Sequence, residues 1–289
     1  MVVDRTPLDP RFNAYRADLA DAALKPFVLA RKYVMPTLRR CVRGVLPLYE
    51  KPARASLQIS EILYGEFLDV FEERKDGFAW VQSRNDRLVG YIDMAEAKLS
   101  EGIAALMNRI NVLRTFIFEA PNPHAAVLDT LTLGAFVSLD GEEGGFYPLT
   151  SGGYIFKHHV VPADEVTQSD YLFTCGQLLH TPYRQGGRTP LGIDAPGLIQ
   201  LALDIAGLDA PRCFEQQKDM FGKKLPCHWR DVVWHRGDLV FFKNPDHVAV
   251  MAGGYDMISA CPDHMEVMIE PMAARIARGS TLIAAGKPV

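Results

Sequence analysis

The chain has 289 residues, 48% of them hydrophobic, which is ample for two or three separate cores. Its 31 basic and 35 acidic side chains leave a formal net charge of −4, so there is no basic field to recruit nucleic acid or an anionic membrane surface. The opening Met-Val-Val-Asp-Arg-Thr-Pro-Leu-Asp-Pro lacks a basic segment followed by an apolar run, and no stretch approaches the ~20 apolar residues of a membrane span, so the expectation is a cytoplasmic protein.

Cys41, Cys175, Cys213, Cys227 and Cys261 are odd in number and widely scattered, which fits reduced thiols better than a disulfide framework. No pair has zinc-ligand spacing, so neither a metal nor a cofactor is expected.

Residues 1–44 read as an N-terminal helical arm, with Leu19, Ala22 and Ala23 interrupting a charged face and Pro10, Pro26 and Pro36 breaking it into short pieces. From 45 to 100 the texture changes to short alternating runs. Phe67-Leu-Asp-Val-Phe, Phe78-Ala-Trp-Val-Gln and Val89-Gly-Tyr-Ile are expected strands, separated by Lys75-Asp-Gly and Arg84-Asn-Asp turns. The same grammar returns from 101 to 165, where Arg114-Thr-Phe-Ile-Phe, Gly145-Phe-Tyr-Pro-Leu and Gly153-Tyr-Ile-Phe follow one another. The two segments share an order of turn, Gly-aromatic pair and Gly-Tyr-Ile strand, which reads as an internal repeat of small barrels.

Residues 166–289 read as an α+β domain. Asp194 is placed to cap a helix, Pro196 sits where a missing N–H costs nothing, and Leu198, Leu201, Ala202 and Ile205 share one face up to Gly207. Strands are expected at Asp238-Leu-Val-Phe-Phe, His247-Val-Ala-Val-Met, Asp256-Met-Ile-Ser-Ala and Met265-Glu-Val-Met-Ile.

The run Thr181-Pro-Tyr-Arg-Gln-Gly-Gly-Arg-Thr-Pro-Leu-Gly-Ile-Asp-Ala-Pro-Gly-Leu-Ile-Gln200 resembles the active-site segment of the NlpC/P60 family of cell-wall peptide hydrolases, in which Asp-Cys-Ser-Gly opens a buried helix. The resemblance implies a papain-like domain preceded by two bacterial SH3-like modules. It makes Ala195 the nucleophile's position, but a methyl group cannot attack a carbonyl. A thiol at such a place is activated by a helix N-terminus and an adjacent imidazole, itself oriented by a third polar group.

Arg236-Gly-Asp-Leu-Val-Phe-Phe followed by Asp246-His247-Val-Ala-Val-Met resembles the family's strand pair carrying the base, which gives His247 that position. A histidine opening an apolar strand is, taken alone, more often structural. Met257-Ile-Ser-Ala260 resembles the hydrophobic-Ile-His-Ala strand, with Ser259 where the orienting histidine stands.

Recognition positions are also altered. Pro211-Arg-Cys-Phe-Glu-Gln-Gln217 corresponds to the family's Pro-Arg-Asp-Ser segment, so that Cys213 replaces an amine-binding carboxylate and Phe214 a hydroxyl. In the first barrel, Leu63-Tyr-Gly-Glu66 resembles the family's pattern, which implies an amine-binding role for Glu66, whereas Asp86-Arg-Leu-Val-Gly90 puts Leu88 where the family has an aromatic hydroxyl. Tyr183-Arg-Gln-Gly-Gly187 lacks the tryptophan of Tyr-x-Trp-Gly-Gly. As substitute nucleophiles, Cys213 and Cys261 lie in the right domain, but neither is expected to start a helix.

These departures imply a degenerate hydrolase acting in binding or regulation, with a murein-derived peptide or a protein as partner. The alternative is a cysteine endopeptidase cleaving γ-D-Glu-diaminopimelate bonds, of which this chain is a Cys-to-Ala or divergent copy.

Overall fold

Antiparallel ladders run through most of the chain, while α-helix appears only from Tyr171 onward among the described residues. The computed structural model describes residues 8–102, 107–225 and 228–288; Cys227 and the first seven residues of the expected arm lie outside them. The backbone divides into two units. One comprises Met1–Ile110, Thr115–Leu131 and Ala135–His159, the other Asn111–Arg114, Thr132–Gly134 and Val160–Val289.

In the first unit the expected strands form as Phe67–Glu73, Phe78–Ser83 and Val89–Asp93. They join Gln58–Leu63, Val45–Tyr49, Thr37–Cys41 and Leu99–Ser100 in a seven-stranded sheet. A four-stranded sheet follows, made of Val127–Thr132, Arg114–Phe118, Tyr154–Phe156 and Phe146–Pro148.

The helical arm is corrected by the structure. Its described part contains a 3-10 turn at Ala22–Leu24 and strands at Leu19–Asp21, Lys32–Val34 and Thr37–Cys41. Pro10, Pro26 and Pro36 interrupt helical hydrogen bonding, and the residues take partners elsewhere. Thr37–Arg40 pair with Phe67–Val70, and Ala14 and Leu19 pack with Phe71 and Trp80. Arg16 lies 4.3 Å over the Trp80 ring and bonds Glu72 at 2.8 Å.

The second unit contains four α-helices among its described residues: α1 (Tyr171–Gln177), α2 (Ala195–Ile205), α3 (Phe214–Phe221) and α4 (Met272–Ala277). Its main sheet has five strands: β1 (Leu239–Lys243), β2 (His247–Gly253), β3 (Asp256–Cys261), β4 (Glu266–Pro271) and β5 (Thr281–Gly286). Their order across the antiparallel sheet is β4-β3-β2-β1-β5.

Alternation divides the strand residues between two buried layers. Leu239, Phe241, Val248, Val250, Ile258 and Ala260 pack with Leu198, Ile199 and Ala202 of α2. Val240, Phe242, Ala249, Met251 and Met257 form the opposite layer with Met272 of α4, and Ile276 lies against them. The sheet is therefore covered on both faces, and the apolar runs of β1 and β2 are continuous for that reason.

Candidate active site

Helix α2 begins where its sequence signals place it. Asp194 is the N-cap in extended conformation, its Oδ1 accepts the Gly197 N–H at 2.8 Å, and Gly207 follows the helix at φ +75°. Ala195 is the first helical residue and is buried in the α2 layer. Gly197 is required by a close approach, because a Cβ there would stand 2.3 Å from the Gly187 carbonyl oxygen. Helix and Tyr183–Gly187 loop are thereby locked together.

Asp194 does more than cap. Its Oδ2 accepts the Gly186 N–H at 2.8 Å, and Arg212 closes a two-point ion pair with the carboxylate at 2.9 and 2.8 Å. With the side chains 5% and 3% exposed, the pair is shielded from water and its geometry satisfies the lone pairs that burial would otherwise strand. Gln217 of α3 adds a second tie by donating to the carbonyls of Pro196 and Pro211, each at 2.8 Å. Burial, reinforced by the Asp194 charge, pushes the Tyr183 hydroxyl up to about 12.

His247 opens β2 opposite Phe242 of β1, and the two rings stand 6.4 Å apart. It shares the face of Phe242 and Ala249, while its neighbour Val248 belongs to the same layer as Ala195. The imidazole is 2% exposed, and Nε2 has no hydrogen-bond partner. Burial first, then the charges of Arg275 and Arg278, hold its pKa well below the ordinary value of 6.5. Ser259 on β3 is fully buried, and its Oγ also makes no hydrogen bond. No bond therefore runs from Nε2 to the Ser259 hydroxyl. Chemically, the helix head holds a methyl, the imidazole is a weak base, and the Ser259 hydroxyl does not hold it.

The recognition positions fall in different places. Glu66 is buried in the first unit, its Oε2 accepting the Leu63 N–H at 3.0 Å across a turn in which Gly65 has φ +89°. Leu88, also in that unit, is 2% exposed, so its side chain offers little surface to a ligand. Phe214 is buried in the α2 layer with its ring edge-on to Phe241 at 6.0 Å and Lys243 Nζ 5.5 Å above it.

Cys213 requires a correction, for it is the N-cap of α3. Its extended backbone opens that helix although the side chain makes no capping bond, a weaker start signal than Ser, Thr or Asp supplies. Cys261 is buried with Sγ 3.3 Å from His264 Nδ1 and 3.9 Å from Arg278 Nη2. Arg212, Gln217 and Arg275 carry weight that no sequence signal assigned them, although Pro211-Arg and the glutamine pair lay inside a recognised segment.

Comparison with known proteins gives this geometry its context. Residues 180–285 match the NlpC/P60 family, and residues 48–96 match the bacterial dipeptidyl-peptidase SH3 domain. Dipeptidyl-peptidase 6 of Lysinibacillus sphaericus is 26% identical over 226 residues, covering 71% of this chain and 81% of that protein. The probable endopeptidase NlpC homolog of Haemophilus influenzae is 33% identical over 81 residues, which is 28% of this chain and 42% of that protein. In structure, an NlpC/P60 family protein from Bacillus cereus shares the fold at TM-score 0.70 and 15% identity, over 87% of this chain and 99% of that one. The NlpC/P60 endopeptidase of Photobacterium damselae subsp. piscicida aligns at TM-score 0.57 and 11% identity, over 86% and 71% of the two chains. Residues 180–285 are thus an NlpC/P60 domain, with a bacterial SH3 domain of the dipeptidyl-peptidase kind ahead of it at residues 48–96.

Proposed function

We propose that the NlpC/P60 domain binds a murein-derived peptide, or a protein partner presenting one, without cleaving it. The observation that carries this reading is Ala195 at the head of α2, where the Asp194 cradle is intact and no nucleophile is present. The neutral, weakly basic His247 and the unbonded Ser259 support it, since restoring a thiol would still leave the base untuned and unoriented. Replacement at Cys213 and Phe214 removes a fixed negative charge and a hydroxyl from the segment that recognises a substrate amine in active relatives, which favours a ligand other than the free N-terminal peptide. Isothermal titration of the full chain with L-Ala-γ-D-Glu-diaminopimelate and with the same peptide blocked at its amine is the test. Saturable heat with the blocked peptide and recovery of intact ligand are expected; absence of binding by both at millimolar concentration would overturn the reading.

A specific geometry favours a second reading, hydrolysis through Cys261, whose sulfur lies 3.3 Å from the His264 imidazole. Its complete burial weighs against it, because a nucleophile must reach its carbonyl.

A further inference from the structure

On the face of the sheet covered by α4, three buried side chains present polar atoms that nothing in the described chain satisfies. Arg275 is 1% exposed, and neither Nε nor Nη1 makes a hydrogen bond. The Asp263 carboxylate with which it pairs stands 4.0 Å from Nη1, is half exposed, and accepts instead from Arg278 Nε at 3.0 Å. Glu270, the other nearby carboxylate, accepts from Arg278 Nη2 at 2.7 and 2.9 Å. Both acids hydrogen-bond Arg278, so the buried Arg275 has only the long 4.0 Å ion pair to Asp263, and its Nε and Nη1 make no hydrogen bond.

His247 Nε2 and Ser259 Oγ are the other two orphans. The guanidinium carbon of Arg275 lies 5.8 Å from the centre of the Phe242 ring, and the His247 imidazole lies 6.4 Å from that same ring. Ser259 is two residues from Met257 on β3 and so shares its face, and Met257 belongs to the layer with Phe242 and Met272. The Arg275 charge also acts directly on His247.

Buried polar atoms are almost always hydrogen-bonded, and a buried charge is almost always paired. All three can turn a donor towards one acceptor. A guanidinium only donates, a hydroxyl can donate, and a neutral imidazole donates from whichever nitrogen carries its proton. Donors without an acceptor describe a place for negative charge. The three side chains are 0–2% exposed, so their polar atoms are closed to a peptide carboxylate arriving from solvent and suit a small ion.

We infer that the NlpC/P60 domain holds one small monovalent anion, chloride or a halide of similar size, between Arg275, Ser259 Oγ and His247 Nε2. The anion accepts from the guanidinium and fixes the imidazole with its proton on Nε2. It thus supplies the orienting partner that the short Ser259 side chain cannot supply by direct contact. The inference is independent of whether the domain binds or cleaves peptides.

The test uses the full chain in two measurements. Crystals grown in bromide should show an anomalous peak within hydrogen-bonding distance of all three groups. Thermal unfolding should shift upward with chloride in a saturable manner at constant ionic strength, with gluconate as the balancing and sterically excluded anion. Arg275→Met should abolish the chloride dependence. Should that variant fail to fold, Ser259→Ala keeps the test decisive, because losing a donor to a bound charge should weaken the apparent chloride affinity about tenfold. A water at the site in bromide-grown crystals, together with equal unfolding temperatures in chloride and gluconate, would overturn the inference.

Discussion

At the head of α2 a single carboxylate organises three segments of chain. Asp194 binds the first turn of its own helix, the Gly186 amide and the Arg212 guanidinium, all in a water-excluded place. Arg212→Met would leave that carboxylate buried and without its charge partner, and a loss of about 3–5 kcal/mol is expected in chemical denaturation. The Asp194→Asn, Arg212→Met double variant should recover part of it. An Arg212→Met protein as stable as wild type would show the pair to be dispensable.

His247 gives a pH prediction whose sign is fixed by burial. Because the folded imidazole resists protonation while the unfolded one titrates near 6.5, the unfolded chain binds the extra proton below that pH. Stability should be unaffected by this group above about pH 6.5 and should fall as the pH drops below it, with a slope of up to about 1.4 kcal/mol per pH unit. His247→Asn should flatten that part of the profile; an unchanged slope would assign it to other groups. The same depressed basicity bears on repair. Ala195→Cys should turn over peptide on the order of 10²–10⁴ more slowly than an intact triad, since the base is weak and unheld. Rapid cleavage by that single variant would mean that the rest of the machinery is sound.

At the scale of elements, the join between α2 and its preceding loop decides a substitution that helix propensity alone would misjudge. Gly197→Ala gains up to about 1 kcal/mol of intrinsic helix preference, but its Cβ would be 2.3 Å from a backbone oxygen that has no side chain to rotate away. The clash prevails, and a net loss of about 1–3 kcal/mol is expected by thermal or chemical unfolding. Net stabilisation would mean that the loop yields easily. Helix α2 and the strands β1 to β4 were legible from local pattern because cap, periodicity and alternation agree there. The start of α3 was not, since Cys213 carries no capping bond that a sequence could advertise. The 9–43 segment misled for a different reason: its short strands exist through remote partners such as Phe67–Val70 and through packing on Trp80, which override weak local preference.

At the scale of the whole molecule, the NlpC/P60 domain and one SH3 domain ahead of it were readable because their motifs are contiguous. The groups that set the electrostatics of the site were not. Arg212 meets Asp194 across 18 residues, and Arg275 reaches the face of His247 from a helix near the end of the chain, so neither contact leaves a local signature. A domain proposed to bind without cleaving carries a methyl at the head of α2 and its buried histidine on the face of the sheet away from that helix. The most direct test of that account is prolonged incubation of the full chain with L-Ala-γ-D-Glu-diaminopimelate peptides, followed by mass spectrometry of the mixture. Intact peptide at the level of a protein-free control is the predicted result, since loss of a nucleophile alone costs on the order of 10⁶ in rate in a serine protease. Time-dependent release of L-Ala-γ-D-Glu that a thiol-alkylating reagent abolishes would contradict it.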